Sequence, residues 1–176
     1  MSFKLSPEFA LLGSLMAGPK HGYEVHGEFS SKMNQFWHLN MSQIYALLKK
    51  MEKNGMVVSR EVRQENRPAK RIFSVTQEGK QRFQNWIHSP VRHVRDLRIE
   101  FMAKLFFVEE LKAKGAHNLI DRQSEVLQER LGEIEGSKGK TTEGFQALVY
   151  SFKVAQITSA LKWLRECKTY FSQNEV

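Results

Sequence analysis

Polar and apolar positions alternate with helical spacing in the stretch SQIYALLKKMEKNGMV, residues 42–57. One face of this predicted helix is apolar at positions i, i+3, i+4 and i+7, and it consists of Ile44, Leu47, Leu48 and Met51. The opposite face consists of Ser42, Gln43, Ala46, Lys49, Lys50 and Lys53. Asn40 lies just before the helix, and Gln43 follows three residues later, which predicts a capping box. A lysine-rich face is usually only solvated, so the neighbouring elements must decide whether this one binds a partner.

Two helices precede this stretch and a hairpin follows it. Helical spacing and stop signals predict helices over about 7–18 and 22–34. The stretches MVVSREVRQ (56–64) and RIFSV (71–75) are rich in β-branched and aromatic residues, which predicts two strands. They are joined by ENRPAK (65–70), a charged loop with a turn-forming asparagine and a proline. A further helix, QEGKQRFQNWI, completes the first half of the chain.

This order of elements is typical of a winged helix, a variant of the helix-turn-helix. In that architecture the third helix enters the major groove of DNA, and the hairpin loop lies along the neighbouring backbone. We therefore expect the third helix to read bases through Ser42, Gln43 and Tyr45, and the loop to contact phosphate. The complete set of expected DNA-binding residues is Ser42, Gln43, Tyr45, Lys49, Lys50, Lys53, Asn66, Arg67, Lys70 and Arg71.

The second half of the chain is predicted to be helical throughout. Its final helix, from Phe145 to about Phe171, carries apolar residues spaced alternately by four and three, which is typical of a coiled-coil-like seam. The seam predicts a homodimer interface of Tyr150, Val154, Ile157, Leu161 and Leu164. Packing of the seam within one chain is the alternative, because it spans only about two heptads. The predicted fold is mainly α (α+β), with a winged helix-turn-helix domain in residues 1–90 and a long-helix dimerisation domain in residues 91–176.

Composition and charge narrow the class of protein. The 176 residues are 41% hydrophobic and include 12 Phe and 3 Trp, which favours a folded globular protein. The net charge of +8 lies mostly in the first half, where residues 1–90 hold 13 Lys and Arg against 7 Asp and Glu. Such a distribution favours a polyanionic partner, nucleic acid before membrane. No apolar run approaches the ~18–20 residues of a membrane span, and the single cysteine suits the cytosol, so we expect a cytoplasmic protein.

Four segments in the first half together resemble the PadR family of bacterial transcription regulators. They are GPKHGYE (18–24), FW (36–37), QIYALLKKMEKNGMV (43–57) and NRPAKRIFSVTQEG (66–79). The region from Ile99 to Phe106 also looks like the C-terminal segment of the family's virulence-activator branch. The resemblance implies a winged-helix DNA-binding domain, a helical dimerisation region and control of nearby promoters. Asn40-Met41 stands where such proteins often have Ser-Pro, and Asn66 stands where the wing often has glycine.

Other chemistry in the sequence carries less weight. GSKGKTT (136–142) lacks the first glycine of a phosphate-binding loop, and His21 and His26 do not share a helical face as metal ligands would. Cys167 would be a redox sensor only if its pKa were lowered. Tyr150 and Trp163 would line a site for a small aromatic effector if they did not pack in the core. No enzyme motif is found, so we expect no catalysis and no cofactor.

Three functions are compatible with these features. The first is a dimeric regulator, acting as a repressor on double-stranded DNA with an inverted repeat. The second is a small-molecule sensor whose helical half binds an aromatic or phenolic effector, which is compatible with the first. The third is a protein-interaction module in which the winged helix is only a scaffold and the lysines are merely solvated. Salt-dependent binding to duplex DNA distinguishes the first from the third.

Overall fold

Three short helices open the chain in the computed structural model, which describes residues 7–35, 37–64, 67–136 and 143–174. They are α1 (Pro7–Met16), α2 (Gly22–Met33) and α3 (Met41–Lys53). Pro7 occupies the first position of α1, where a missing backbone N–H costs nothing. The predicted capping box of α3 is confirmed, and the predicted helices and strands of the first half occur in the predicted sequence.

A three-stranded antiparallel sheet follows, with strand order β1-β3-β2. Its strands are β1 (Lys20–His21), β2 (Val57–Gln64) and β3 (Arg67–Val75). Helical content with this small sheet confirms the predicted mainly α class and the winged-helix arrangement. The two-residue β1 pairs with Phe73 and Ile72, and the sequence does not predict it because so short a segment has no period.

The hairpin of β2 and β3, which we call the wing, is longer than the sequence predicted. The expected loop over residues 65–70 is wrong for residues 67–70, because β3 already begins at Arg67 and the ladder continues to the pair of Gln64 and Arg67. Residues 65 and 66 lie outside the described residues. The register shifts between Val62 and Gln64, and such a bulge accommodates a proline that cannot donate to a ladder. Pro68 therefore lies inside a strand instead of a loop.

Helices make up the remainder. They are α4 (Gln77–Ile87), α5 (Val94–Asp96), α6 (Met102–Glu110), α7 (Ala116–Gly136) and α8 (Gly144–Asn174), with a π-helical segment at Leu97–Phe101. No helix in the described ranges is both long and apolar enough to cross a membrane.

The chain divides into two compact units. The first unit comprises the chain up to Ile87 together with Met102–Ala113, and the second comprises His88–Phe101 and the chain from Lys114 onward. We expected residues 91–176 to form one domain, but α6 belongs to the first unit. The ring of Phe107 lies edge-on to Phe83 at 5.8 Å, and the ammonium of Lys104 lies 5.2 Å from the Trp86 ring. These aromatic contacts with α4 give α6 its place in the first unit.

The core of the first unit holds α3 and the wing in place. Side chains with at most 2% exposure come from α1, α2, α3, β3 and α4, and include Leu11, Leu12, Phe29, Ile44, Leu48, Phe73 and Phe83. Burying a large apolar side chain of this kind contributes about 1.5–3 kcal/mol. The inner face of α3 is therefore fixed, and only its outward face remains accessible.

The second unit is built on α7 and α8. Lys168 near the end of α8 donates to Asp121 near the start of α7 at 2.6 Å, so the two helices run antiparallel. The buried Gln123 amide accepts from the backbone N–H of Val91 at 2.7 Å and donates to its carbonyl at 2.9 Å. This pair of bonds ties the segment after Ile87 to α7.

Candidate nucleic-acid interface

The start of α3 is fixed by reciprocal hydrogen bonds. The Asn40 side chain accepts from the backbone N–H of Gln43 at 2.9 Å, and the Gln43 side-chain oxygen accepts from the backbone N–H of Asn40 at 2.9 Å. The Gln43 oxygen is therefore engaged in the cap, while its amide N–H groups stay exposed with the side chain. Gln43 consequently has a structural role in the free protein, in addition to the base-reading role that we predicted.

The two faces of α3 are separated as the sequence predicted. Ile44, Leu48 and Met51 are fully buried, whereas Leu47 is half-buried. The exposed residues of the helix include Ser42, Gln43, Tyr45, Ala46, Lys49, Lys50 and Lys53. The predicted DNA-reading residues of α3 thus share one accessible surface, which we call the α3 face.

The three lysines of the α3 face differ in their partners. Lys50 forms an ion pair with Glu8 of α1 at 3.3 Å, which ties the helix to its neighbour. Within the described ranges, neither Lys49 nor Lys53 forms an ion pair. Because these two positions are four residues apart, their ammonium groups lie on one side of α3 and are both accessible to an anion.

The Tyr45 ring packs closely against the start of α2, where a glycine leaves room for it. A Cβ atom on Gly22 would lie 2.5 Å from Cζ of the Tyr45 ring, so any side chain there would displace the ring. Tyr45 is 40% exposed, and the neighbouring Tyr23 is 67% exposed. The sequence does not identify Tyr23 as exposed, because helical spacing does not distinguish an exposed aromatic residue from a core one.

The predicted DNA-binding residues of the wing differ in how much of each the structure describes and in how exposed they are. Asn66 lies outside the described residues, and for Arg67 the backbone alone is described, as the start of β3. Lys70 is half-buried opposite Val62. Two exposed arginines of β2, Arg60 and Arg63, lie outside the predicted set, whose wing residues are confined to the segment from Asn66 to Arg71. Both are further candidates for phosphate contact.

Arg71 has partners within the protein. Its guanidinium donates to Glu52 at 2.7 Å and to Ser59 at 2.7 Å. In the free protein these bonds hold the Arg71 side chain against the end of α3. They do not show whether Arg71 contacts DNA in a complex. The phosphate contact that we expected for Arg71 therefore requires these bonds to be exchanged.

The predicted dimer seam on α8 lies largely inside the second unit. Ile157 is 2% exposed and Leu164 is fully buried, while Tyr150, Val154 and Leu161 are half-buried. The assignment of Ile157 and Leu164 to an interface between chains is thus wrong for the fold as observed. The physical reason is that α7 lies along α8 and covers this stripe, which is the alternative left open above.

A different stripe of α8 is exposed. Phe145, Leu148 and Phe152 are exposed by 75%, 65% and 63%, and their spacing of three and four places them on one helical face. We call them the α8 stripe. Exposed apolar patches of this kind mark sites of association.

A redox role for Cys167 and a metal site are two further possibilities that the structure addresses. Burial, followed by the charge of the adjacent Glu166, raises the pKa of the Cys167 thiol to about 11. At neutral pH the side chain is a thiol and not the thiolate that a redox sensor uses. Among the residues that the structure describes, no group of three or more His, Cys, Asp or Glu is placed to hold a metal ion.

Comparison with known proteins gives matches in both halves of the chain. Residues 11–85 match the profile of the transcriptional regulator PadR-like family, and residues 97–172 match the virulence activator alpha C-term family. The chain is 30% identical over 146 residues to the negative transcriptional regulator PadR of Bacillus subtilis, which is 82% of this chain and 79% of the relative.

Solved structures give similar matches. The crystal structure of Bacillus subtilis PadR in complex with operator DNA is 28% identical, with a TM-score of 0.47 and coverage of 91% of this chain and 96% of that chain. The structure of the same protein in complex with p-coumaric acid is 26% identical, with a TM-score of 0.41 and coverage of 93% and 96%.

Proposed function

Because this chain belongs to the PadR-like family of transcriptional regulators, we propose that it represses transcription as a homodimer on an inverted-repeat operator. The family consists of DNA-binding regulators and not of enzymes. The sign of regulation follows the relative in Bacillus subtilis, which is named a negative regulator. Sequence specificity, the dimer and the operator symmetry are the parts of the proposal that need support from the residues themselves.

The α3 face is the observation that carries the proposal. It combines two ammonium groups without ion pairs among the described residues, Lys49 and Lys53, with the hydrogen-bonding side chains of Ser42 and Gln43. Ammonium groups bind phosphate irrespective of sequence, whereas amide and hydroxyl groups distinguish base edges in the major groove. Both kinds of group on one rigid helix support sequence-specific binding over a protein-interaction module.

The homodimer is supported by the α8 stripe. A single recognition helix rarely supplies enough affinity and specificity, and a two-fold dimer doubles the contacts. Phe145, Leu148 and Phe152 stand exposed on the outer face of a 31-residue helix. Aromatic side chains bury about 150–250 Å² each when covered, so a second copy gains much by packing against this stripe. We therefore move the proposed interface from Ile157 and Leu164 to these three residues.

Sensing of a small aromatic molecule is a second candidate, favoured by a cleft of about 350 Å³ in the second unit. Tyr150 offers a flat ring there and Lys153 offers positive charge, while Arg130 is ion-paired with Glu133 of the same lining at 2.6 Å. A flat ring beside an ammonium group suits an aromatic acid. Trp163 does not line the cleft, since its ring packs edge-on against Phe101 at 6.1 Å. No stabilisation of the protein by phenolic acids in thermal unfolding would contradict this candidate.

Replacement of Gln43 tests the base-reading role. We expect Gln43→Ala to reduce discrimination between operator and altered sites by about 1–3 kcal/mol, because a glutamine amide that leaves the cap on binding pairs bidentately with adenine. Binding to unrelated duplexes should change little. Fluorescence anisotropy with a set of single-base variants of the operator measures both quantities.

Asn40→Ala is the control for this experiment, because it breaks the same cap and leaves the Gln43 amide in place. If the two variants weaken binding to all sequences by the same factor, Gln43 is only a helix cap. A loss of discrimination in Gln43→Ala alone supports base reading.

A further inference from the structure

Three side chains connect the recognition helix to the wing. Arg71 Nη2 donates to Glu52 Oε2 at 2.7 Å, Arg71 Nε donates to Ser59 Oγ at 2.7 Å, and Ser59 Oγ donates to Glu52 Oε1 at 2.5 Å. We propose that this triad, which we call the latch, sets the angle of the wing to α3. Arg71 and Ser59 are then positioning residues for DNA binding, a role that rests on the proposed function.

The latch joins elements that are distant in sequence. Glu52 lies in the last turn of α3, Ser59 in β2 and Arg71 in β3. Ser59 pairs with Phe73 across the hairpin, and Arg71 lies two residues from Phe73, so all three project from the same face. The guanidinium also lies 5.5 Å above the Phe73 ring. Going from the buried Phe73 toward the tip of the wing, Arg71 is thus the first residue of β3 on this face that lies outside the core.

The outer wing has few other restraints. Within the described ranges, the edge strand β1 pairs only with Ile72 and Phe73. From Arg71 toward the tip, the described ladder consists of β2 and β3 alone, as far as the pair of Gln64 and Arg67. That pair is about 13 Å further along the strand at ~3.3 Å per residue. A small rotation at the latch therefore moves the tip by a larger distance.

The latch is suited to positioning more than to stabilising the fold. The side chains of Arg71 and Glu52 are 49% and 29% exposed, so water screens their attraction. However, a planar guanidinium that meets two acceptors has a defined orientation, which a single lysine contact would not give. Breaking the latch should consequently affect the wing much more than global stability.

The salt dependence of binding distinguishes a latch from a phosphate contact. If Arg71 bound phosphate, Glu52 would compete with DNA, and Arg71→Ala would reduce the slope of log affinity against log salt by about 0.9. If Arg71 is part of a latch, its removal weakens binding without changing that slope. Ser59→Ala is the cleanest probe because it removes two hydrogen bonds of the latch without altering charge.

The experiment measures anisotropy of a labelled operator duplex against salt for the wild type, Ser59→Ala and Arg71→Ala. Ser74→Ala is the matched control, since Ser74 lies on the opposite face of the same hairpin. We expect Ser59→Ala and Arg71→Ala each to weaken binding roughly three- to tenfold with an unchanged salt slope, and Ser74→Ala to have no effect. Amide hydrogen exchange of the free protein should rise in the outer wing for the first two variants only.

Unchanged affinity and exchange in Ser59→Ala would overturn the proposal. So would a salt slope reduced by about one in Arg71→Ala, which would assign this arginine to phosphate. A wild-type protein that binds no duplex at all would instead overturn the proposed function, and the positioning role with it. The two failures are distinguished by the wild-type titration alone.

Discussion

Leu164→Glu is expected to unfold the second unit, whereas Phe152→Glu on the same helix should leave it folded and yield monomers. Leu164 is fully buried beneath α7, so a glutamate there places a carboxylate without a partner in an apolar core. We expect a loss of roughly 3–5 kcal/mol in the free energy of unfolding. Phe152 is 63% exposed, so the same substitution should change monomer stability by only about 0.5 kcal/mol or less.

Thermal unfolding followed by circular dichroism, together with sedimentation at micromolar concentration, measures both effects. Thr158→Glu serves as the control, because Thr158 is exposed and lies on neither the buried stripe nor the α8 stripe. It should remain folded and dimeric. A Phe152→Glu variant that still sediments as a dimer would contradict the proposed interface, and a monomeric wild type would contradict the dimer itself.

The double variant Lys49→Glu/Lys53→Glu should lose DNA affinity by on the order of a hundredfold or more at moderate salt. Each lysine that neutralises a phosphate contributes about −0.9 to the salt slope, and each glutamate adds repulsion. Because both positions are exposed and form no ion pair among the described residues, stability should be nearly unchanged.

The matched control is Lys80→Glu/Lys162→Glu, which changes the net charge equally through exposed lysines of α4 and α8. Filter binding or anisotropy over a range of salt concentrations compares the pairs. An equal loss of DNA affinity in the control would mean that the change in net charge alone explains the effect. Retained affinity in the α3 variant would remove that helix from the interface.

The sequence was sufficient to locate α3 and to separate its two faces. Its cap depends on Asn40 and Gln43 three residues apart, and its buried face depends on the spacing of Ile44, Leu48 and Met51. Both are local properties, and the structure agrees with them. The partner of Arg71 is not local. Charge alone does not tell whether an arginine meets phosphate or a carboxylate, and Glu52 is 19 residues away in the chain.

The last helix shows a different limit. Helical spacing detected an apolar stripe through Ile157 and Leu164, but spacing does not say whether α7 or a second chain covers it. α8 is apolar on a second side at Phe145, Leu148 and Phe152, and only the observed exposure separates the two stripes. Likewise, the sequence places α6 in the second half of the chain. Its contacts with Phe83 and Trp86 join residues that are distant in sequence, so local patterns do not detect them.

Selection of binding sites from a pool of random duplexes tests the central claim most directly. A homodimer that reads bases through two copies of α3 should enrich one inverted repeat, with half-site centres about one helical turn apart. In a parallel selection, the Lys49→Glu/Lys53→Glu variant should enrich no sequence. Enrichment of an inverted repeat by the wild type is the predicted result, and a selected pool with no shared motif, or with a motif that lacks two-fold symmetry, would contradict the account.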